Sequence, residues 1–100
     1  MIPRGTTPNQ IFNVDADITQ AEVVYLTYKQ GNQTVLEKEK DDLDITKDTV
    51  SFKMTQEESL IFERNGSISI QIRARFADGI AIKSNIVQTS SDHLLKEGVI

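Results

Sequence analysis

The chain has 100 residues, with 11 basic and 15 acidic side chains and a formal net charge of −4. This length accommodates one small domain, and 38% apolar with 26% charged residues is typical of a soluble globular protein, not of a disordered chain. The mildly acidic balance lacks the electrostatics of a general binder of nucleic acid or anionic membranes. The chain has no cysteine and one histidine, which excludes disulfides, thiolate metal sites, cysteine nucleophiles and a histidine pair for zinc.

The first nine residues predict an extended lead-in, because Pro3 and Pro8 favour extended backbone in the residues before them. Neither this segment nor any later one has the apolar run of a signal peptide or the ~20 apolar residues of a membrane helix. The sequence therefore predicts a protein without a signal peptide that stays in the cytoplasm, at least until assembly or lysis.

Apolar and polar residues alternate with a period of two through most of the chain, which predicts half-buried β-strands. The clearest run is 67–76, SISIQIRARF, in which every second residue from Ile68 to Phe76 is apolar. In the run 22–29, Val24, Leu26 and Tyr28 form the predicted inner face. Further strands are predicted at 10–14, 34–38, 43–45, 49–54 and 80–87.

Two short segments between strands predict β-hairpins. Asp78-Gly79 separates two apolar runs and predicts a type I′ turn, because that turn needs positive φ at both central positions. Residues 30–33, Gln-Gly-Asn-Gln, predict a second hairpin between the strands on either side. Antiparallel neighbours are therefore expected at both places.

Helical turns are predicted at two places only. Thr55–Glu58 fits a capping box, in which the threonine and glutamate side chains each accept from the other's backbone N–H. This predicts one short helical turn near 56–62. A second turn is predicted at 92–98, with Asp92 as its N-cap and Gly98 just beyond its end.

About six to eight short strands with frequent turn signals predict an all-β fold, an immunoglobulin-like antiparallel β-sandwich or a partly open small barrel. The whole chain, 1–100, forms the predicted domain, with a lead-in at 1–9 and a tail at 92–100. The predicted core consists of Val24, Leu26, Tyr28, Leu36, Val50, Phe52, Leu60, Phe62, Ile68, Ile70, Ile72, Phe76, Ile82 and Ile86.

Candidate sites for catalysis or metal binding are weak. His93 would need a nucleophile and an orienting partner, so a surface histidine near the tail is favoured. The acidic stretch 37–44 fails as a calcium loop, because counting from Asp42 places Lys47 and Lys53 where glycine and glutamate are required. It fits a charged strand edge better. The sequence predicts no catalytic, cofactor-binding or metal-binding residue, no small-molecule substrate and no enzyme.

Two surface features leave alternatives open. Arg73 and Arg75 form an outward polar stripe without the aromatic residues that stack on nucleic-acid bases. The stripe predicts a solvent-facing sheet surface, with a protein–protein contact as the alternative, because arginine is enriched at interfaces. The apolar end Val99–Ile100 predicts either a frayed terminus or an arm that docks on a neighbouring subunit.

Several segments resemble a family of short proteins encoded in prophages of Gram-positive bacteria, and the resemblance spans the whole chain. The segments are MIPRGTTP at 1–8, TQEE at 55–58 followed by Leu60 and Phe62, IQIR at 70–73, SNI at 84–86 and LKEGVI at 95–100. The chain is also similar in style to the N-terminal immunoglobulin-like domain of phage upper baseplate proteins, which is longer. None of these motifs is catalytic, so the resemblance implies only a place among phage structural proteins.

The resemblance implies a non-enzymatic structural or assembly protein of a prophage, associated with the tail or baseplate, that remains in the cytoplasm until virion assembly or lysis. Its expected partners are other phage structural proteins or itself, and not nucleic acid or a membrane. One alternative is a module that binds carbohydrate or a host surface, although most of the six aromatic residues are predicted to be buried. Another alternative is a small inhibitor of a host protein whose acidic surface mimics nucleic acid, although a net charge of −4 is small for such a mimic.

Overall fold

The computed structural model describes residues 1–100 and contains eight β-strands, one α-helix and one 3₁₀ turn. The strands are β1 (Asn9–Asn13), β2 (Val23–Gln30), β3 (Gln33–Glu39), β4 (Asp44–Ile45), β5 (Thr49–Lys53), β6 (Ser67–Arg75), β7 (Ala81–Lys83) and β8 (Val87–Ser90). Helix α1 covers Gln56–Leu60, and the 3₁₀ turn covers Lys40–Asp42. Neither helical segment has the length and apolar character needed to span a membrane.

The strands form two antiparallel sheets. The smaller sheet has the order β1-β5-β4, and the larger has the order β3-β2-β6, with β7 and β8 pairing successive parts of the free edge of β6. This connectivity is that of the immunoglobulin fold, with β1, β5 and β4 at the positions of strands B, E and D. Strands β3, β2 and β6 correspond to C′, C and F, and β7 and β8 together to G. The predicted immunoglobulin-like β-sandwich is thus confirmed.

Tyr28 on β2 lies at the centre of the core. Its ring contacts Phe12, Phe52 and Phe62, with centroids 6.4, 6.1 and 5.7 Å away. Its hydroxyl donates to Gln10 Oε1 at 2.9 Å. Burial, together with the nearby charge of Glu58, raises the pKa of Tyr28, so the hydroxyl stays protonated and remains a donor. Aromatic contacts stabilise this core without the disulfide and tryptophan of antibody domains, since this chain has neither cysteine nor tryptophan.

Most of the predicted core is confirmed. Nine of its members are buried, namely Val24, Leu26, Tyr28, Val50, Phe52, Phe62, Ile68, Ile70 and Ile72. Three more, Leu36, Phe76 and Ile82, are half-buried against that cluster, and Leu60 is half-buried outside it. Ile2 and Ile18 are also buried in this core, although neither belongs to an alternating run.

The prediction that Ile86 belongs to the core is wrong, since its side chain is 58% exposed. The predicted strand 80–87 is interrupted by a bulge. Between the pairs Arg73↔Lys83 and Ile70↔Val87, β6 contributes two residues and the opposite strand three, 84–86. One extra residue reverses the alternation of side chains, so Ile86 points outward, whereas Val87, which pairs with the buried Ile70, faces the same side as that residue.

The two predicted hairpins form, but one has a different turn. Phe76 N–H donates to Ile80 C=O, and Gly79 has φ +87° whereas Asp78 has no positive φ. The connection is therefore a three-residue loop ending in a left-handed glycine, and the type I′ prediction is wrong. In the other hairpin, Gln30 pairs with Gln33, and Gly31 alone has positive φ, as a type II′ turn requires.

The two predicted helical turns have opposite outcomes. The capping box is confirmed, because Glu58 N–H donates to Thr55 Oγ1 at 3.1 Å and Thr55 N–H donates to Glu58 Oε1 at 2.9 Å. The predicted turn at 92–98 is wrong, since no helix forms there. The Asp92 carboxylate accepts instead from the backbone N–H of Arg4 at 2.8 Å, a tertiary contact that replaces N-capping.

Candidate functional site

The two sides of the sandwich, where the edges of the sheets lie, differ in charge. On the β3–β4 side, β3 carries Glu37, Lys38 and Glu39, and β4 carries Asp44. On the β1–β8 side, β1 reads NQIFN and β8 reads VQTS, and neither contains a charged residue, whereas β7 on the same edge of the larger sheet carries Lys83. Because charged side chains protect a sheet edge from pairing with another chain, the β3–β4 side is protected, whereas the edges of β1 and β8 are not.

The β3–β4 side is also closed by packing. Lys38 on β3 forms a salt bridge with Glu58 of α1, and its ammonium group lies 5.4 Å above the centre of the Phe52 ring. The two charged side chains are only 20% and 16% exposed. Helix α1 is thereby held against the opening between the sheets, and this ion pair is a structural contact.

The Lys38–Glu58 pair predicts a loss of stability in acid. Burial acts to raise the pKa of Glu58, but hydrogen bonds from Lys38 and from the Thr55 backbone outweigh it and hold the pKa below its usual 4.5. The Glu58 carboxylate therefore binds a proton more readily in the unfolded chain than in the folded one. The stability that the ion pair contributes is complete above about pH 4.5 and is lost as the pH falls through the lower, folded-state pKa of Glu58. Urea unfolding at neutral pH and at about pH 3 is expected to show a smaller acid loss for Glu58→Gln than for the native chain.

Glu57→Gln is the matched control for the acid experiment, because Glu57 lies on the same helix and its side chain is exposed. This variant is expected to keep the native dependence on pH. An equal acid loss in the native chain and in Glu58→Gln would show that the ion pair contributes nothing to the stability of the fold.

The β1–β8 side is open. A cleft of about 310 Å³ lies between the sheets there, and we call it the edge cleft. Its apolar lining comes from Val14, Ile18, Ile72, Ile82 and Val87, and its polar lining includes Asp15 and Lys83. A hollow of about 180 Å³ shares part of the apolar lining and extends it to Ile11 on β1. Apolar surface is therefore accessible beside the uncharged strands β1 and β8.

The bulge at 84–86 shapes the edge cleft. Ile72 N–H donates to the Ser84 hydroxyl at 3.0 Å, and Ser84 N–H donates to Ile72 C=O at 2.8 Å. These bonds satisfy the backbone N–H and C=O groups of Ile72 on β6 at the point where the neighbouring strand departs from regular pairing. The exposed side chains of Ile11 and Val87, 66% and 47% accessible, flank the opening.

Residues 1–8 cover only the far end of this side. Ile2 forms a parallel bridge with Ser91, and Ile2 N–H donates to Ser90 C=O at 2.7 Å. Beyond this bridge, β8 is hydrogen-bonded only to β6, and β1 only to β5. The outer backbone groups of both edge strands therefore face no other strand of the fold.

Arg4 joins the N-terminal segment to the tail. Its guanidinium is buried and donates to Phe62 C=O at 2.7 Å, to Leu60 C=O at 3.4 Å and to Glu97 Oε1 at 2.7 Å. With the bond from its backbone to Asp92, this set is called the terminal clamp. The terminal clamp could not be predicted from the sequence, because an arginine in a proline-flanked lead-in gives no sign of burial. The terminal clamp ties the N-terminal segment to the end of α1 and to the tail.

The other sequence-derived candidates lie apart from one another. His93 is exposed in the tail. In the acidic stretch, Asp42 accepts from Glu39 N–H at 3.2 Å and closes the 3₁₀ turn, and no group of three or more acidic or histidine side chains is arranged to hold a metal ion. Arg73 and Arg75 are exposed on the outer face of β6, where the alternation places them.

The last residues lie against α1. The Gln56 side-chain amide donates to Ile100 C=O at 3.2 Å and accepts from Ile100 N–H at 2.8 Å. Val99 lies beside the start of the helix, whereas the side chains of Leu95 and Ile100 point into solvent. The docking of this end on a neighbouring subunit stays a prediction.

The geometry defines the class of protein as an immunoglobulin-like β-sandwich with one protected and one unprotected side. The chain matches no protein-family model and no curated protein. Among solved structures it is similar to the V domain of amphioxus IgVJ-C2, with 10% sequence identity and a TM-score of 0.38, over 91% of this chain and 97% of that one. The prophage family therefore stays a prediction from the sequence.

Proposed function

We propose that this chain is a non-enzymatic interaction module of a prophage particle that binds an extended segment of another structural protein on its β1–β8 side. One observation carries the proposal. Strands β1 and β8 lack charge, and the exposed Ile11 and Val87 flank a mainly apolar hollow between them. The prophage setting comes from the sequence resemblance.

An extended strand is the occupant that this geometry favours. Backbone groups on the outer edge of β8 would pair with it, and alternate side chains would enter the edge cleft. The parallel bridge between Ile2 and Ser91 already begins such pairing at one end of β8. A carbohydrate is a poorer match, because Tyr25, the exposed aromatic residue, lies on the outer face of the larger sheet, away from the cleft.

The proposal predicts which peptides the chain selects. Random peptides of about ten residues, the length of a long strand, are displayed and selected against the immobilised full chain. Enriched sequences are expected to alternate apolar and polar residues. Binding is expected to slow hydrogen exchange of β8 amides, since the N–H groups on the outer edge of β8 become hydrogen-bonded to the peptide. Val87→Lys is expected to reduce affinity at least roughly tenfold, because it places a charge beside the entering apolar side chain.

Ile61→Lys provides the matched control for the peptide experiment. Ile61 is an exposed isoleucine at the end of α1, remote from the edge cleft, so this variant is expected to retain binding. The proposal is wrong if the enriched peptides show no alternation, or if they bind Val87→Lys and the native chain equally well.

A particle experiment tests the prophage setting separately. Particles released from an induced lysogen that carries this gene are purified and quantified by mass spectrometry. The chain is expected at a fixed ratio to the other structural proteins, and Val87→Lys is expected to lower that ratio. Absence of the native chain from the particles would reject the structural role while leaving the peptide result intact.

A further inference from the structure

A row of four side chains crosses the outer face of the larger sheet, and its charge changes from one end to the other. The register pairs Glu39 on β3 with Tyr25 on β2, Tyr25 with Arg73 on β6, and Arg73 with Lys83 on β7. All four side chains are exposed. We call this set the cross-strand row. From β3 to β7 the row reads glutamate, tyrosine, arginine and lysine, in steps of about 4.8 Å, the spacing of neighbouring strands.

The cross-strand row is complementary to itself. In a dimer whose outer faces meet, a two-fold axis can run parallel to the strands, between the two copies and over the gap between β2 and β6. Rotation about this axis places Glu39 of one copy opposite Lys83 of the other. The same rotation places Tyr25 opposite Arg73. Each contact occurs twice, so the pairing yields two ion pairs at the margins and two cation–π contacts near the axis.

In this arrangement, the residues in the rows on either side of the cross-strand row do not place like charges opposite each other. On one side, Val23 and Arg75 are paired across β2 and β6, so the rotation places the arginine of one copy opposite the valine of the other. On the other side, the register joins Thr27 to Glu37 and to Gln71, and the rotation places Thr27 opposite Gln71. Hydroxyl and amide groups can hydrogen-bond across such a contact.

We propose that a second copy of this chain binds the outer face of the larger sheet and forms a symmetric dimer around the cross-strand row. This inference goes beyond the proposed function, because it uses the face of a sheet and not the β1–β8 side. Two twisted sheets pack with their strands aligned to within about 30°, which keeps the residues closest to the axis in register. An isologous contact of this kind closes on itself and leaves the edge cleft of each copy free.

Sedimentation equilibrium of the full chain tests the dimer over a range of concentrations. The mass is expected to rise from 11.2 kDa toward twice that value as concentration increases. Glu39→Lys and Lys83→Glu are each expected to weaken association roughly tenfold or more, because each reversal creates two like-charge contacts in its own dimer. An equimolar mixture of the two variants is expected to associate again, since both pairs of opposite charge are restored between unlike copies.

Two controls separate this dimer from general charge effects and from the edge cleft. Lys47→Glu reverses an exposed charge in the turn between β4 and β5 and is expected to dimerise as the native chain does. Val87→Lys is expected to dimerise too, because its side chain does not belong to the cross-strand row. Circular dichroism verifies the fold of each variant. A native chain that stays monomeric at every concentration, or a mixture of the two reversal variants that stays monomeric, would overturn the proposal.

Discussion

Tyr28→Ala is expected to lower the free energy of unfolding by about 3–5 kcal/mol, the cost of truncating a large buried aromatic side chain. The residue is fully buried and lies in contact with Phe12 on β1, Phe52 on β5 and Phe62 in the loop after α1. Its loss leaves a cavity between the two sheets and removes the donor to Gln10. For a domain with a stability of roughly 5–15 kcal/mol, this variant approaches global unfolding.

Urea unfolding followed by circular dichroism measures the effect of Tyr28→Ala. Tyr25→Ala is the control, because Tyr25 lies on the same strand and points outward, and a change within about 0.5 kcal/mol is expected at concentrations where the chain is monomeric. Equal stability of the two alanine variants would contradict the position of Tyr28 at the centre of the core.

Arg4→Met is expected to cost about 3 kcal/mol, because it removes the charged donor of the terminal clamp but keeps a side chain of similar length. The carbonyl groups of Leu60 and Phe62 lose their side-chain donor, and Glu97 loses its counter-ion. The effect is expected to be largest in the tail, which the clamp ties to the end of α1.

Limited proteolysis measures the local effect of Arg4→Met. Trypsin is expected to cleave after Lys96 faster in this variant than in the native chain, since release of Glu97 exposes the neighbouring backbone. Arg64→Met removes an exposed arginine and is expected to change neither the cleavage rate nor the unfolding midpoint. Unchanged cleavage in Arg4→Met would show that the clamp does not hold the tail.

The sequence predicted the elements that depend on local rules. The run 67–76 alternates without error and forms β6 at Ser67–Arg75, and the capping box forms at Thr55. The alternation fails at Ile86 because a bulge adds one residue, and no residue type in 84–86 requires that bulge. The turn predicted after Asp92 fails because a tertiary contact with Arg4 takes its carboxylate. Both errors arise from contacts outside the local segment, with a neighbouring strand at the bulge and with the distant N-terminal segment at Asp92.

The candidate site was predicted only in part. The sequence indicated a charged edge at 37–44, and the structure places that edge on the protected side. It did not indicate that the two uncharged strands lie on the same side, since strand order does not follow from periodicity. The outward position of Arg73 followed from alternation, whereas its place in one row with Glu39, Tyr25 and Lys83 required the register of three strand pairs.

The terminal clamp has a consequence for the order of folding. It joins Arg4 to Asp92 and Glu97, residues 88 and 93 positions further along the chain. Contacts of such high sequence separation raise the relative contact order and slow the folding of all-β domains. The hairpin of β2 and β3 forms locally, but the N-terminal segment finds its partners Asp92 and Glu97 only after residue 97 has been synthesised. The sandwich is therefore completed only once these late residues are available, and until then Ile2 and the core beneath it remain accessible to chaperones.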